Sequence, residues 1–86
     1  MFELGNIYAT PGAMEAIPNF EFVTALTRHH NGDWGEVCKE DWESNNEALE
    51  LGFRLLSSYS TLEGVRFWII TEADRSATTI LLPEEY

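Results

Sequence analysis

The sequence predicts one α+β domain, with helices in the N-terminal half followed by a three-stranded antiparallel β-sheet. Three observations favour this class: apolar residues at helical spacing before residue 52, aromatic and β-branched segments after it, and turn residues between those segments. The chain has 86 residues, of which 44% are hydrophobic, and shows no linker or internal repeat. This is enough for a single core, so we expect one domain over residues 1–86.

Start and stop residues divide the first half into three helices. Thr10 followed by a proline is typical of a helix N-terminus and predicts a short helix over 11–16. A second helix is predicted from residue 19 to the histidine pair that precedes an Asn-Gly stop. The third is predicted from about 39 to 51, and Gly52 is well placed as its left-handed cap.

The last third predicts three strands, over 53–60, 65–72 and 77–82, because these segments are rich in aromatic and β-branched residues. They follow each other closely, so sequential antiparallel hairpins are the simplest arrangement. Looser alternation over 2–9 suggests a short N-terminal strand, which would be the fourth of the sheet.

The middle strand is apolar on both sides, which predicts a central position in the sheet. Helices can cover only one side, so Trp68 and Ile70 on the other side need a cover of their own. An N-terminal segment or the tail 83–86 can fold back over them. A homodimer interface through Trp68 and Ile70 is the alternative.

The composition excludes several functional classes. Fifteen acidic and five basic residues give a net charge of −10, which disfavours direct binding of nucleic acid and favours a basic protein partner. Cys38 is the only cysteine, so the chain has neither a disulfide nor a thiolate metal site, and we expect no cofactor. No long apolar run or basic leader is visible, so we expect a cytoplasmic protein without a membrane segment.

The most informative feature is a series of carboxylates spaced by four, three, four and three residues, which aligns them on one side of a helix. These residues are Glu36, Glu40, Glu43, Glu47 and Glu50. One interpretation is a solvated helix face. The other is a surface for a basic partner. No cations are interleaved with these carboxylates, so they repel one another, and a basic partner would relieve this repulsion.

A glycine on each side frames Trp34 in the segment between the second and third helices. A tryptophan in such a loop either fills the gap at a helix junction or stands exposed as a binding anchor. His29, His30, Asp33 and Glu36 are close in sequence, but adjacent histidines on a helix point about 100° apart and rarely share one ion. We therefore predict no metal site.

Several strings resemble a family of small bacterial proteins usually labelled plasmid-related or hypothetical. They are Ala-Thr-Pro-Gly-Ala at 9–13, Arg-His-His at 28–30, Gly-Asp-Trp-Gly at 32–35, Asn-Glu-Ala-Leu at 46–49, and the tail from Ile-Thr-Glu-Ala-Asp-Arg-Ser at 70–76 to Leu-Pro-Glu-Glu-Tyr at 82–86. The resemblance spans nearly the whole chain. It implies an association with mobile elements and supplies no mechanism.

One alternative function is a small metal-independent ribonuclease of the barnase, colicin or RelE kind, in which helices also precede an antiparallel sheet. The candidate catalytic residues would be His30, Arg54, Arg75 and Thr79. A histidine would move protons and arginines would stabilise the phosphorane-like charge. Each residue also has a structural explanation, as a helix cap, a turn residue or a strand former.

The leading hypothesis is a non-enzymatic interaction protein that occupies a basic surface of a defence or DNA-processing complex, as anti-restriction and anti-CRISPR inhibitors do by resembling nucleic acid. The predicted partner-binding residues are Trp34, Glu36, Glu40, Glu43, Glu47 and Glu50.

Overall fold

Three helices precede most of a four-stranded sheet in the computed structural model, which describes residues 2–86. The elements in chain order are β1 (Asn6–Ala9), α1 (Pro11–Ala16), α2 (Asn19–His30), α3 (Lys39–Leu51), β2 (Leu55–Ser60), β3 (Arg66–Thr71), β4 (Ala77–Leu81) and a 3₁₀ turn (Pro83–Glu85). The predicted α+β class is confirmed, and the helices lie in the first half of the chain.

The sheet has the strand order β1-β4-β3-β2. The three later strands form sequential antiparallel pairs, with Ile69 opposite Ile80 and Leu56 opposite Ile70. The N-terminal strand exists but is only four residues long, and it pairs in parallel with β4, with Tyr8 opposite Thr79. The sheet is therefore mixed and four-stranded, not the three-stranded antiparallel sheet expected. A parallel pair needs a crossover connection, and here it includes all three helices and two strands.

Local capping explains where two of the helices begin or end. The Thr10 hydroxyl accepts a hydrogen bond from the backbone N–H of Ala13 at 3.2 Å, which satisfies one free donor of α1. Gly52 ends α3 in the left-handed conformation at φ +79°, and its N–H donates to the carbonyl of Ala48. Both caps were predicted from the sequence.

The main core lies between the sheet and the first two helices. Phe67, Ile69 and Ile80 point to this side and are at most 1% exposed. They pack with Ala13 of α1 and Ala25 of α2, whose small side chains allow close approach. Burial of each large apolar side chain contributes about 1.5–3 kcal/mol, so this layer is the main source of stability.

Two elements protect the outer edge of β2. The side chain of Asn45, on α3, donates to the Leu56 carbonyl at 2.8 Å and accepts from the Leu56 N–H at 3.2 Å. Further along, Ser58 exchanges backbone hydrogen bonds with Trp34 and Glu36. A free sheet edge invites pairing with other chains, and these contacts close this one.

The side of the sheet away from the helices, called here the outer face, is covered by the tail. The ring of Tyr86 meets Trp68 edge-on with 5.7 Å between ring centroids, and Ile70 is 3% exposed. The Glu85 carboxylate anchors the tail, because it accepts hydrogen bonds from the Thr10 hydroxyl and the Gly12 N–H. These bonds lower the pKa of Glu85, the Thr10 bond most of all. The tail therefore occupies the surface that was predicted, as the alternative, to form a homodimer interface.

No helix within the described residues has the length and apolar character needed to cross a membrane.

Candidate functional site

Four glutamates form a line along the solvent side of α3, which we call the acidic ridge: Glu40, Glu43, Glu47 and Glu50. All four side chains are exposed. At 100° per residue they fall within an arc of about 80°, while Asn45 and Ala48, the buried residues of the helix, lie on the opposite side. The helix is thus held to the protein by one side and presents the four carboxylates on the other, with the exposed Lys39, Ser44 and Leu51 beside them.

The cations of the chain do not neutralise the ridge. Within residues 2–86, the arginine ion pairs join Arg28 to Asp33, Arg54 to Glu72 and Arg66 to Glu36. The Lys39 side chain, one turn before Glu43, forms no ion pair within 4.0 Å in this part of the chain. The ridge therefore carries four carboxylates without an internal counter-charge.

Arg75 is occupied elsewhere as well. Its guanidinium donates to the carbonyls of Phe53, Ala48 and Glu72 at 2.8–3.1 Å, where it ties the end of α3 to the turn before β4. Its own backbone is left-handed, with φ +61°. A cation at the C-terminus of a helix complements the helix dipole, so Arg75 has a structural role.

The structure corrects the prediction for Glu36. Because α3 begins at Lys39, Glu36 lies before the helix and does not belong to the ridge. Its carboxylate accepts from the Ser60 hydroxyl at 2.9 Å and pairs with Arg66 at 3.6 Å. This charge is partly satisfied within the protein.

Trp34 was predicted as an apolar anchor for a partner, and this is wrong because its side chain is 0% exposed. The indole fills the junction between α2 and α3, which was the alternative interpretation. It stacks on Phe2 and donates to the Asn46 side chain at 3.0 Å. Trp34 therefore fixes the position of α3, and with it the ridge, without touching solvent.

The loop that carries Trp34 is held on its other side by Arg28. The guanidinium donates to both oxygens of Asp33, at 2.8 and 3.3 Å, and lies 4.9 Å above the ring of Tyr59. The hydrogen bond from Arg28 lowers the pKa of Asp33. The Tyr59 hydroxyl donates to the Asp33 carbonyl at 2.6 Å, so the loop is fixed to the sheet.

The four candidate ribonuclease residues do not form one site. Arg54 and Thr79 line a groove on the outer face, beneath the tail. His30 ends α2 on the helical side, where it and Arg75 contact the ring of Phe2. A general base and a phosphate-binding arginine must reach the same reacting group, and these pairs lie on opposite sides of the sheet.

The neighbouring His29 points into the core and is fully buried. Its ring contacts Ser57 through Nδ1 and Thr71 through Nε2, at 2.5 and 2.8 Å. Thr71 contacts the Thr78 hydroxyl at 2.7 Å, and Thr78 donates to the carbonyl of Leu4. Since that carbonyl can only accept, the other donors follow in turn: Thr71 donates to Thr78, and His29 donates from Nε2 to Thr71.

The imidazole of His29 is neutral, so its Nδ1 accepts from the Ser57 hydroxyl. Burial lowers the pKa of His29 to about 3, and the positive charge of Arg75 contributes in the same direction. Edge-on contacts with Phe2 and Trp34 close the ring off from water. His29 is therefore a structural residue, and spacing alone would have predicted its orientation, since it follows the buried Ala25 by four residues.

Comparison of the chain with protein-family models, with curated proteins and with solved structures finds no match. The functional argument therefore rests on the geometry of the acidic ridge.

Proposed function

We propose that the protein is a non-enzymatic interaction protein that binds a basic surface of another protein through the acidic ridge. The observation that carries the proposal is the contrast within the chain. The four ridge glutamates are exposed and form no ion pair with any residue of the described range 2–86, while the arginines are engaged with other residues. A partner would supply the missing counter-charges.

Electrostatic repulsion favours such a partner. Consecutive ridge glutamates are three or four residues apart, and each like-charged pair at this spacing destabilises a helix by roughly 0.2–0.5 kcal/mol. The three consecutive pairs, Glu40 with Glu43, Glu43 with Glu47, and Glu47 with Glu50, therefore cost the free protein about 1 kcal/mol together. Basic side chains of a partner would remove this repulsion and replace it with attraction.

The geometry favours a partner that normally binds nucleic acid. The ridge runs from Glu40 to Glu50, a rise of about 15 Å along the helix, with one carboxylate every 5 Å or so. A nucleic-acid strand also presents a row of single negative charges at intervals of a few ångströms. We infer that the partner is a restriction, CRISPR or other DNA-processing protein whose basic groove the ridge fills.

Affinity capture from a bacterial lysate tests the proposal with two matched variants of the full chain. The ridge variant combines Glu43→Lys with Glu47→Lys. The control combines Glu63→Lys with Glu84→Lys, two exposed carboxylates outside the ridge. Both variants carry the same altered net charge. The ridge variant should lose a captured basic protein at least tenfold, and the control should retain it.

Salt and DNA give the second measurement. Capture should weaken steeply as salt rises, because exposed charges are screened beyond about 10 Å at 0.1 M salt. Duplex DNA should displace the captured protein, since both would occupy one groove. Equal loss of binding by both charge variants would show that net charge, not the ridge, is responsible, and would refute the proposal.

A further inference from the structure

The solvent side of α2 is an apolar surface made of Phe20, Val23, Thr24 and Thr27, which we call the α2 face. Phe20 is 77% exposed and Val23 is 62% exposed. Both threonine hydroxyls turn inward and donate to helix carbonyls, Thr24 to Phe20 and Thr27 to Val23, each at 2.9 Å. With these donors satisfied inside the helix, the threonines present their methyl groups to solvent.

This surface is uncharged in a chain with a net charge of −10. The nearest charged groups on α2, Glu21 and Arg28, lie together along one edge of the α2 face, seven residues apart. Two copies of the chain repel each other over most orientations. The α2 face lets them meet without bringing carboxylates together.

Val23 and Thr27 of the α2 face also form one wall of an apolar groove beside the helix. The groove is lined by Leu4, Val23, Leu26, Thr27 and His30, and encloses about 200 Å³. Phe20 lies seven residues before Thr27, on the same side of the helix, and projects away from its own core. A phenyl ring fits a groove of this size. The groove lies beside Thr27, about 10 Å along the helix from Phe20, so Phe20 does not fill the groove of its own copy.

We propose that the α2 face binds a second copy of this chain, with the two α2 helices antiparallel about a two-fold axis near Val23 and Thr24. In this arrangement Phe20 of each copy enters the groove beside Thr27 of the other. A two-fold interface places the same patch on both subunits, so one projection and one groove per copy are sufficient.

Charge supports the antiparallel arrangement. Antiparallel helices bring like edges together, as in coiled coils, so the edge with Glu21 and Arg28 meets the same edge of the other copy. Both side chains are held within each copy, because Glu21 accepts from the Leu62 N–H at 2.7 Å and Arg28 pairs with Asp33. The helix dipoles also oppose one another favourably, because each N-terminus lies beside the C-terminus of the other copy. A parallel pair would place the two N-termini side by side, where the dipoles repel.

The available area predicts a weak dimer. An aromatic side chain covers about 150–250 Å², so the α2 face and the groove rim offer about 400–500 Å² per copy, or about 800–1,000 Å² in total. Specific interfaces generally exceed about 1,000 Å². We therefore expect reversible association that is detectable at high micromolar concentrations and is independent of the acidic ridge.

Sedimentation equilibrium of the full chain over a wide concentration range tests this inference. The average mass should rise from monomer towards dimer with concentration, and added salt should strengthen association because it screens the repulsion between copies. Phe20→Ser should raise the dissociation constant at least tenfold. Phe53→Ser is the matched control, because Phe53 is also exposed, at 59%, but lies outside α2.

Both substitutions replace exposed side chains, and a chemical unfolding curve for each variant checks that the fold is retained. A monomer mass at every protein concentration and every salt concentration would overturn the inference. The α2 face would then be either free or a binding surface for a different protein. Equal weakening by Phe20→Ser and Phe53→Ser would overturn it as well.

Discussion

The buried imidazole of His29 should make the protein sensitive to mild acid. His29 is neutral in the folded state, where its pKa is about 3, whereas an exposed histidine in the unfolded chain has a pKa near 6.5. Below pH 6.5 the unfolded chain therefore binds a proton that the folded protein does not. The stability due to this difference is fully present above pH 6.5 and is lost as the pH falls towards 3.

The size of the effect follows from the two pKa values. Each pH unit below 6.5 lowers the free energy of unfolding by about 1.4 kcal/mol, so the change from neutral pH to pH 5 is about 2 kcal/mol. The carboxylates whose pKa is lowered, among them Asp33 and Glu85, titrate below this window. A domain of this size has a total stability of about 5–10 kcal/mol, so a loss of 2 kcal/mol is readily measured.

Urea unfolding monitored by tryptophan fluorescence at pH 7.5, 6.0 and 5.0 measures the slope. His29→Gln keeps two hydrogen-bonding atoms but cannot titrate. This variant should be less stable at pH 7.5, because its amide cannot reproduce both ring contacts, and its stability should change less between pH 7.5 and 5. A wild-type protein equally stable at pH 7.5 and 5.0 would refute the buried neutral histidine.

Two further substitutions test how the edge of β2 is closed. Gly35→Ala should lower the free energy of unfolding by about 3 kcal/mol, because Gly35 has φ +75° and a Cβ there would overlap the Ser58 carbonyl. The control, Gly64→Ala, should cost only about 1 kcal/mol, because Gly64 has φ +89° but no atom within 4 Å of the added Cβ. Equal losses of stability in thermal unfolding would contradict the close approach at Gly35. Asn45→Ala should lower the free energy of unfolding by about 1–3 kcal/mol, because it leaves the N–H and carbonyl of Leu56 without their side-chain partner. An unchanged urea midpoint would show that the two Asn45 hydrogen bonds contribute nothing to stability.

The parts of the fold that depend on neighbouring residues were predictable from the sequence. The limits of α3 were predicted as 39–51 and are confirmed, because a left-handed glycine and an amphipathic pattern define them locally. The hairpins from β2 to β4 are confirmed for the same reason. The 3₁₀ tail over the outer face was also one of the predicted covers for Trp68.

The parts that depend on distant contacts were not predictable. The parallel pairing of β1 joins residues about 70 positions apart, and nothing in a four-residue strand specifies its direction. Glu36 shares the spacing of the ridge glutamates, but the chain before Lys39 is fixed by Trp34 in the junction and by the Gly35 bridge to β2, so the helix cannot extend back to it. A periodic pattern aligns residues only where the backbone is helical.

The acidic ridge itself was predicted from spacing, and four of its five proposed members lie in one exposed line. What spacing could not supply was the location of the cations. Arg54 lies only three residues after α3, yet it pairs with Glu72, and this choice of partner became visible only in the folded chain. That no cation in the described part of the chain pairs with the ridge is therefore a property of the tertiary structure.

The most direct test of the uncompensated ridge is the unfolding free energy of Glu47→Lys, compared with that of Glu63→Lys at low salt. Lysine at position 47 turns two repulsive pairs, with Glu43 and Glu50, into attractive ones, which should stabilise the free protein by about 1 kcal/mol. The same charge change at Glu63, in a turn, should have a smaller effect, and the difference should fade in about 1 M salt. A Glu47→Lys protein that is no more stable than Glu63→Lys would contradict the account, because the ridge would then have no repulsion for a partner to relieve.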